Sequence, residues 1–186
     1  MSLDNMEPII NWKEIKTVLF DMDGTLLDLY FDYYFWQEYL PEQWAKKNNM
    51  STQEAKVKLL DWYEKESGTL SWYCLDFWTQ KLNFDVFALK ADVRHLIKYR
   101  PHAESFLRRL NDSDLSLIMV TNAHEKLIRM KTEETGIDTF FGEIISSHSI
   151  GHAKEENAFW EKLKSKVPFD ENKTLLIDDN LTVLRT

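Results

Sequence analysis

Two rhythms of apolar residues alternate along this chain. Short apolar runs at Val18–Phe20, Leu115–Val120, Phe140–Ser146 and Lys173–Ile177 are bounded by polar or turn-forming residues and read as strands buried on both faces. Between the later runs lie stripes of helical period. Ala103, Phe106, Leu107 and Leu110 form one, Leu127 and Ile128 begin another that Gly136 closes, and Phe159, Trp160, Leu163 and Val167 form a third. Four strands separated by helices predict an α/β fold with a parallel sheet and right-handed crossovers.

The stretch from Leu29 to Tyr99 differs. It carries most of the chain's aromatic residues, all seven tyrosines among them, and reads as successive helices. Ser51 and Glu54 form a capping box ahead of Ala55, Leu59, Trp62 and Tyr63, and Gly68 closes that helix. Leu75, Trp78 and Leu82 form the next stripe. Asp85 caps a third helix bearing Leu89, Val93, Leu96 and Ile97, which must end near Tyr99 because Pro101 disfavours helix at Arg100. The expected organisation is a core from 13–28 and 100–186, with an all-helical insert at 29–99.

Composition narrows the classes. A chain of 186 residues, 44% hydrophobic, can bury one core with a smaller insert. A net charge of −8 argues against a nucleic-acid partner held by a broad basic surface, while leaving room for a small anion met by local cations. Cys74 is the single cysteine, so no internal disulfide can form and a reducing cytoplasm is the natural setting. Met1 to Trp12 lacks a basic and apolar leader, and no apolar run reaches membrane-spanning length, so no membrane partner is expected.

Chemistry gathers at the strand ends. Asp21 and Asp23 follow the first run, two apart and therefore on one side of an extended chain, and Gly24 permits a sharp exit before Thr25. Such a close pair of carboxylates is tolerable if a cation such as Mg2+ lies between them or if one keeps its proton. The same string also fits a solvated turn. Thr121 and Asn122 follow the second run, Lys154 precedes a helix, and Asp178 and Asp179 follow the last. A hydroxyl and backbone N–H groups suit phosphate oxygens, an ammonium neutralises charge, and the acidic residues suit a hard cation. His124 reads as a solvated residue in the first turn of its helix.

These positions, Asp21-Met22-Asp23-Gly24-Thr25, Thr121, Lys154 and Asp178-Asp179, resemble the four motifs of the haloacid dehalogenase superfamily, and the resemblance spans essentially the whole chain. It implies a Rossmann-like core with a helical cap. It also implies Asp21 as a nucleophile that becomes phosphorylated, Asp23 as acid and base, and Thr121, Asn122 and Lys154 as phosphate-binding residues. Mg2+ would be held by Asp21, the main-chain carbonyl of Asp23 and the pair Asp178 and Asp179, of which Asp179 is the more direct ligand. True dehalogenases of the superfamily lack the second aspartate. Asp23 therefore favours phosphate esters, because an alkoxide needs a proton donor where a halide does not.

Asp21 to Trp36, Thr69 to Trp78 and Thr121 to His124 are further similar to the bacterial GMP/IMP nucleotidases of that superfamily. The likeness implies a purine mononucleotide substrate, with Trp36, Trp72 and Tyr73 as candidate contacts. The alternatives are a phosphatase for sugar phosphates or phosphoglycolate, and a non-catalytic phosphate-binding or interaction protein. Two features depart from the family pattern. Glu155 follows Lys154 where many relatives have proline, and the chain stops at Thr186, where the family continues through a further helix and strand. Either a further C-terminal segment belongs to the natural chain or the sheet is expected to show an exposed apolar edge.

Overall fold

The computed structural model describes residues 10–186, so the reading of the chain up to Ile9 lies outside them. The four expected strands form one parallel sheet: β1 (Thr17–Phe20), β2 (Ser116–Thr121), β3 (Glu143–Ser146) and β4 (Thr174–Ile177), in the order β3-β2-β1-β4. Successive residues of a strand face opposite sides, and the two cores follow that period. Val18, Phe20, Leu117 and Met119 belong to the larger core, while Leu19, Ile118 and Val120 pack with Ile145, Phe159 and Leu163 in the smaller one.

Two boundaries differ from the sequence reading. β2 continues through Thr121, which pairs with Ser146, so this hydroxyl ends the strand rather than following it. Phe140 is not in β3 but closes a 3-10 turn (Ile137–Phe140), and the strand begins at Glu143. β4 lies at an edge of the sheet with all four residues half-buried.

The insert is helical throughout. It comprises α1 (Tyr30–Tyr34), a π-helical turn (Phe35–Tyr39), α2 (Leu40–Lys47), α3 (Thr52–Glu66), α4 (Leu70–Tyr73), α5 (Leu75–Leu82) and α6 (Val86–Asp92). Both halves of the Ser51–Glu54 capping box are present, and Asp85 accepts the Ala88 N–H at 3.0 Å to start α6. α6 stops at Asp92, earlier than the apolar stripe predicts, and a 3-10 turn (Arg94–Leu96) replaces its last turn. The chain must be extended by Ile97 because Tyr99 pairs antiparallel with Leu27. Trp78, fully buried, meets the rings of Tyr63 and Trp72 edge-on, so many of the insert's aromatics are its own core.

The chain leaves and rejoins the sheet domain through adjacent segments. The Asp28 N–H donates to Lys98 O at 2.9 Å, the Arg100 N–H donates to Leu26 O at 2.9 Å, and the Arg100 side chain donates to the carbonyl of Gly24. Beyond them come α7 (Ala103–Asn111), α8 (Glu125–Thr135), the short α9 (Ser147–Ile150) and α10 (Asn157–Lys166).

Candidate active site

Ligands of open parallel sheets bind beyond the carboxyl ends of the strands, where the strand order reverses, and here that point is the tip of β1 between β2 and β4. Asp21 is the first residue past β1, and its N–H donates to Ile177 O at 2.9 Å, tying this tip to β4. Lys154 reaches the same point from the loop before α10. Its Nζ donates to Asp21 Oδ1 at 2.5 Å, to Asp178 Oδ2 at 2.7 Å and to Val120 O at 3.2 Å. One buried ammonium thus touches the ends of three strands.

Burial pushes the Asp21 carboxyl up to about 7; Lys154 pulls it down, whereas Asp178 and Asp23 raise it further. Burial also works against the Lys154 charge, but Asp21 and Asp178 hold that ammonium above the usual lysine range. Asp21, Asp178 and Asp179 each bring one carboxylate oxygen within 4.8 Å of the others. Three hard oxygen donors with an excess of negative charge suit Mg2+. Gly24 leaves space for this arrangement. Its φ of +92° suits glycine, and a Cβ there would collide with the Asp179 carboxylate.

The Asp23 side chain takes another direction. Lys131, from α8, donates to Asp23 Oδ1 at 2.6 Å, and Asp23 is not among the three clustered carboxylates. Burial raises its pKa against the pull of Lys131. Thr121 Oγ1 accepts the Ala123 N–H at 3.0 Å, turning the chain at the tip of β2. Asn122 Oδ1 accepts the Lys154 N–H at 2.9 Å and so positions the lysine loop.

Above these groups lies a cavity of about 540 Å³ whose lining includes Asp21, Asp23, Thr121, Asn122, Lys154, Asp178 and Asp179, with Trp36, Trp72 and Tyr73 from the insert. Every site residue named from the sequence therefore borders one space. Trp36 and Trp72 stack on each other, centroids 5.9 Å apart at 26°, and Tyr73 Oη donates to Glu155 Oε1 at 2.7 Å.

His124 is not solvated. It is buried, its Nδ1 accepts the Lys126 N–H at 3.3 Å as the cap of α8, and its ring meets His148 at 5.0 Å. A packed histidine partner on α9 and the Asp76 carboxylate 3.7 Å away on α5 explain the burial.

Two groups of residues escaped the sequence reading. Glu155, visible only as a departure from a motif, accepts from Tyr73, from Asn122 Nδ2 at 2.9 Å and from Asn180 Nδ2 at 3.1 Å, so it joins the insert to the tips of β2 and β4. Asp32, Lys90 and Lys131 form ion pairs beside Asp23, with both lysines buried and both aspartates half-buried. A signal for both lysines was present. Each stands four residues after a buried apolar position and next to another, Val86 and Leu89 for Lys90, Leu127 and Met130 for Lys131.

Residues 15–185 match the family model for haloacid dehalogenase-like hydrolases. The chain belongs to this family. Among haloacid dehalogenase-like relatives, the GMP/IMP nucleotidase YrfG of Escherichia coli is 38% identical over 175 residues, covering 94% of this chain and 79% of the relative. The pyrophosphatase PpaX of Oceanobacillus iheyensis is 26% identical over 176 residues, covering 89% of this chain and 75% of the relative. Among solved structures, an HAD phosphatase from Thermococcus onnurineus superposes with a TM-score of 0.75 at 22% identity, covering 90% of this chain and 79% of that one. The fold is thus that of the haloacid dehalogenase-like hydrolases, a parallel Rossmann-like sheet among helices, and the chain is a phosphatase of that family.

Proposed function

We propose that this phosphatase removes the 5'-phosphate of purine mononucleotides. The observation that carries the reading is the 38% identity to the GMP/IMP nucleotidase YrfG over an alignment that covers 94% of this chain, and so takes in the insert as well as the core. The paired indoles of Trp36 and Trp72 on the cavity wall support it, because an aromatic face can contribute about 1 to 3 kcal/mol per stacked base. In this reading the 29–99 insert is the cap that excludes bulk water, and the protein works in a reducing cytoplasm. No described helix is long and apolar enough to cross a membrane.

Asp21 attacks phosphorus as the bond to the nucleoside 5'-oxygen breaks, and Asp23 gives its proton to that oxygen. The nucleoside leaves as the neutral alcohol and the phosphoryl group stays on Asp21. Asp23, now a carboxylate, takes a proton from water as the water oxygen attacks phosphorus, which releases inorganic phosphate and restores both aspartates. Lys154 holds the phosphoryl oxygens beside Asp21, with Thr121 and Asn122 shaping the loop that faces them. Asp21, Asp178 and Asp179, with the main-chain carbonyl of Asp23, would hold Mg2+, which supplies screening of the charge between the carboxylate and the phosphoryl oxygens.

The test is the ratio of kcat/KM across IMP, GMP, AMP, UMP, phosphoglycolate and a hexose phosphate at one Mg2+ concentration. IMP and GMP should lead. A sugar phosphate or phosphoglycolate ahead by about tenfold, roughly 1.4 kcal/mol of transition-state preference, would overturn the nucleotide reading and leave the phosphatase standing.

A further inference from the structure

Two buried lysines and two half-buried aspartates meet between insert and core beside the reacting groups. Lys131 of α8 is 2% exposed, and Lys90 of α6 has no exposed surface. Lys131 Nζ donates to Asp23 Oδ1 at 2.6 Å and to Asp32 Oδ2 at 2.7 Å, and Lys90 Nζ donates to Asp32 Oδ1 at 2.6 Å. Lys90 Nζ also lies over the rings of Phe31, Phe35 and Trp36, 4.7, 4.4 and 5.2 Å from their centroids. The result is a chain, Lys90–Asp32–Lys131–Asp23, whose first two members belong to the insert and whose last two belong to the core. Stability alone is a poor reason for it, because well-packed apolar residues often stabilise a buried position as well as an ion pair does.

We propose that Lys131, held by Asp32, is the positioning residue that aims the Asp23 carboxyl at the leaving group. This inference rests on Asp23 being the acid of the reaction above. Lys131 occupies one Asp23 oxygen, and among the described residues no hydrogen bond reaches the other. That second oxygen is the one left to carry the proton and give it to the departing alkoxide. An ammonium with two fixed acceptors has little freedom to turn, so the carboxyl it holds keeps one orientation. Asp32 does two further things. It keeps the two buried lysines from facing each other without an intervening anion, and its own second oxygen is anchored by Lys90 in the aromatic cage. The orientation of the acid is thereby set from the insert, through Asp32.

The experiment compares a basic and a weakly basic leaving group. Steady-state kcat and KM are measured with inosine 5'-monophosphate and with 4-nitrophenyl phosphate for the wild type and for Asp23→Asn, Lys131→Met, Lys131→Arg and Asp32→Asn. Lys131→Met should lower kcat for the nucleotide at least about tenfold more than for the aryl ester, with both KM values kept within about twofold. Asp32→Asn should shift the same ratio in the same direction by a smaller factor, and Lys131→Arg should restore part of it. Equal losses for the two esters in Lys131→Met would overturn the proposal, provided that Asp23→Asn separates them. Should Lys131→Met fail to fold, Asp32→Asn carries the test, and an unchanged ester ratio in that variant overturns it. If Asp23→Asn itself does not separate the esters, the acid role fails and this inference falls with it.

Discussion

The buried polar residues around the site act by holding one another, and their chemistry is set by burial. His124 and His148 touch edge to edge at the seam between α8, α9 and α5, and among the described residues nothing hydrogen-bonds the buried His148 Nε2. Burial lowers the pKa of both rings. Asp76 and Glu125 oppose that for each, while Lys126 adds to it at His124 and His124 adds to it at His148. The sign follows directly. A histidine kept neutral in the fold binds fewer protons than in the unfolded chain below about pH 6.5, so its stability is complete above that value and is lost as pH falls through the lowered folded value. These rings therefore tilt the urea midpoint downward from about pH 7 to pH 5, opposite in sign to the Asp21 carboxyl held up at about 7, so His148→Gln should gain on the wild type as pH falls. Parallel slopes for the variant and the wild type would show that these rings do not titrate with unfolding. The sequence concealed this pair because a lone histidine after Thr121-Asn122 resembles any polar residue opening a helix, and its partner is far along the chain.

Elements were legible where a single physical rule governs them. Capping is one. Ser51 and Glu54 satisfy each other's backbone N–H groups at the start of α3, and Ser51→Ala should cost about 1 kcal/mol in urea unfolding while kcat is kept, because α3 contributes no residue to the lining of the cavity. A shift below a few tenths would mean that α3 is held by packing alone. The strands were readable for the same kind of reason: a short run buried on both faces has no polar alternation, and the runs at Val18 and Leu115 could be little else. The ends of elements were less readable, since pairing across the sheet decides them. Tyr99 must reach Leu27, so α6 yields to a 3-10 turn, and Thr121 must reach Ser146, so β2 runs on. The motif aspartates and Lys154 were found through their types and order. Lys90, Lys131, Asp32 and Glu155 were not, because a charged residue read alone looks solvated, and only tertiary packing gives each its partner.

On the scale of the whole molecule, the candidate site depends on contacts among distant stretches of chain. Asp21, Lys154 and Asp178 meet through the sheet order, and a cation bound to Asp21, Asp178 and Asp179 would bind the folded chain alone. Mg2+ at about a hundredfold above its dissociation constant should then stabilise by about 2.7 kcal/mol, roughly 5 to 10 °C in melting temperature, and chelation should remove both that gain and the phosphatase activity. An unchanged melting curve with Mg2+, together with full turnover after chelation, would argue against the cation. The paired segments at Leu27 and Tyr99 carry a different consequence. Because the insert's two ends meet, its attachment to the sheet does not by itself fix its length. The loop-closure cost of a longer or shorter insert changes only slowly with its length. A cassette with both ends at one place can therefore vary in length, provided that it still presents a carboxylate to Lys131 and a hydroxyl to Glu155 as Asp32 and Tyr73 do.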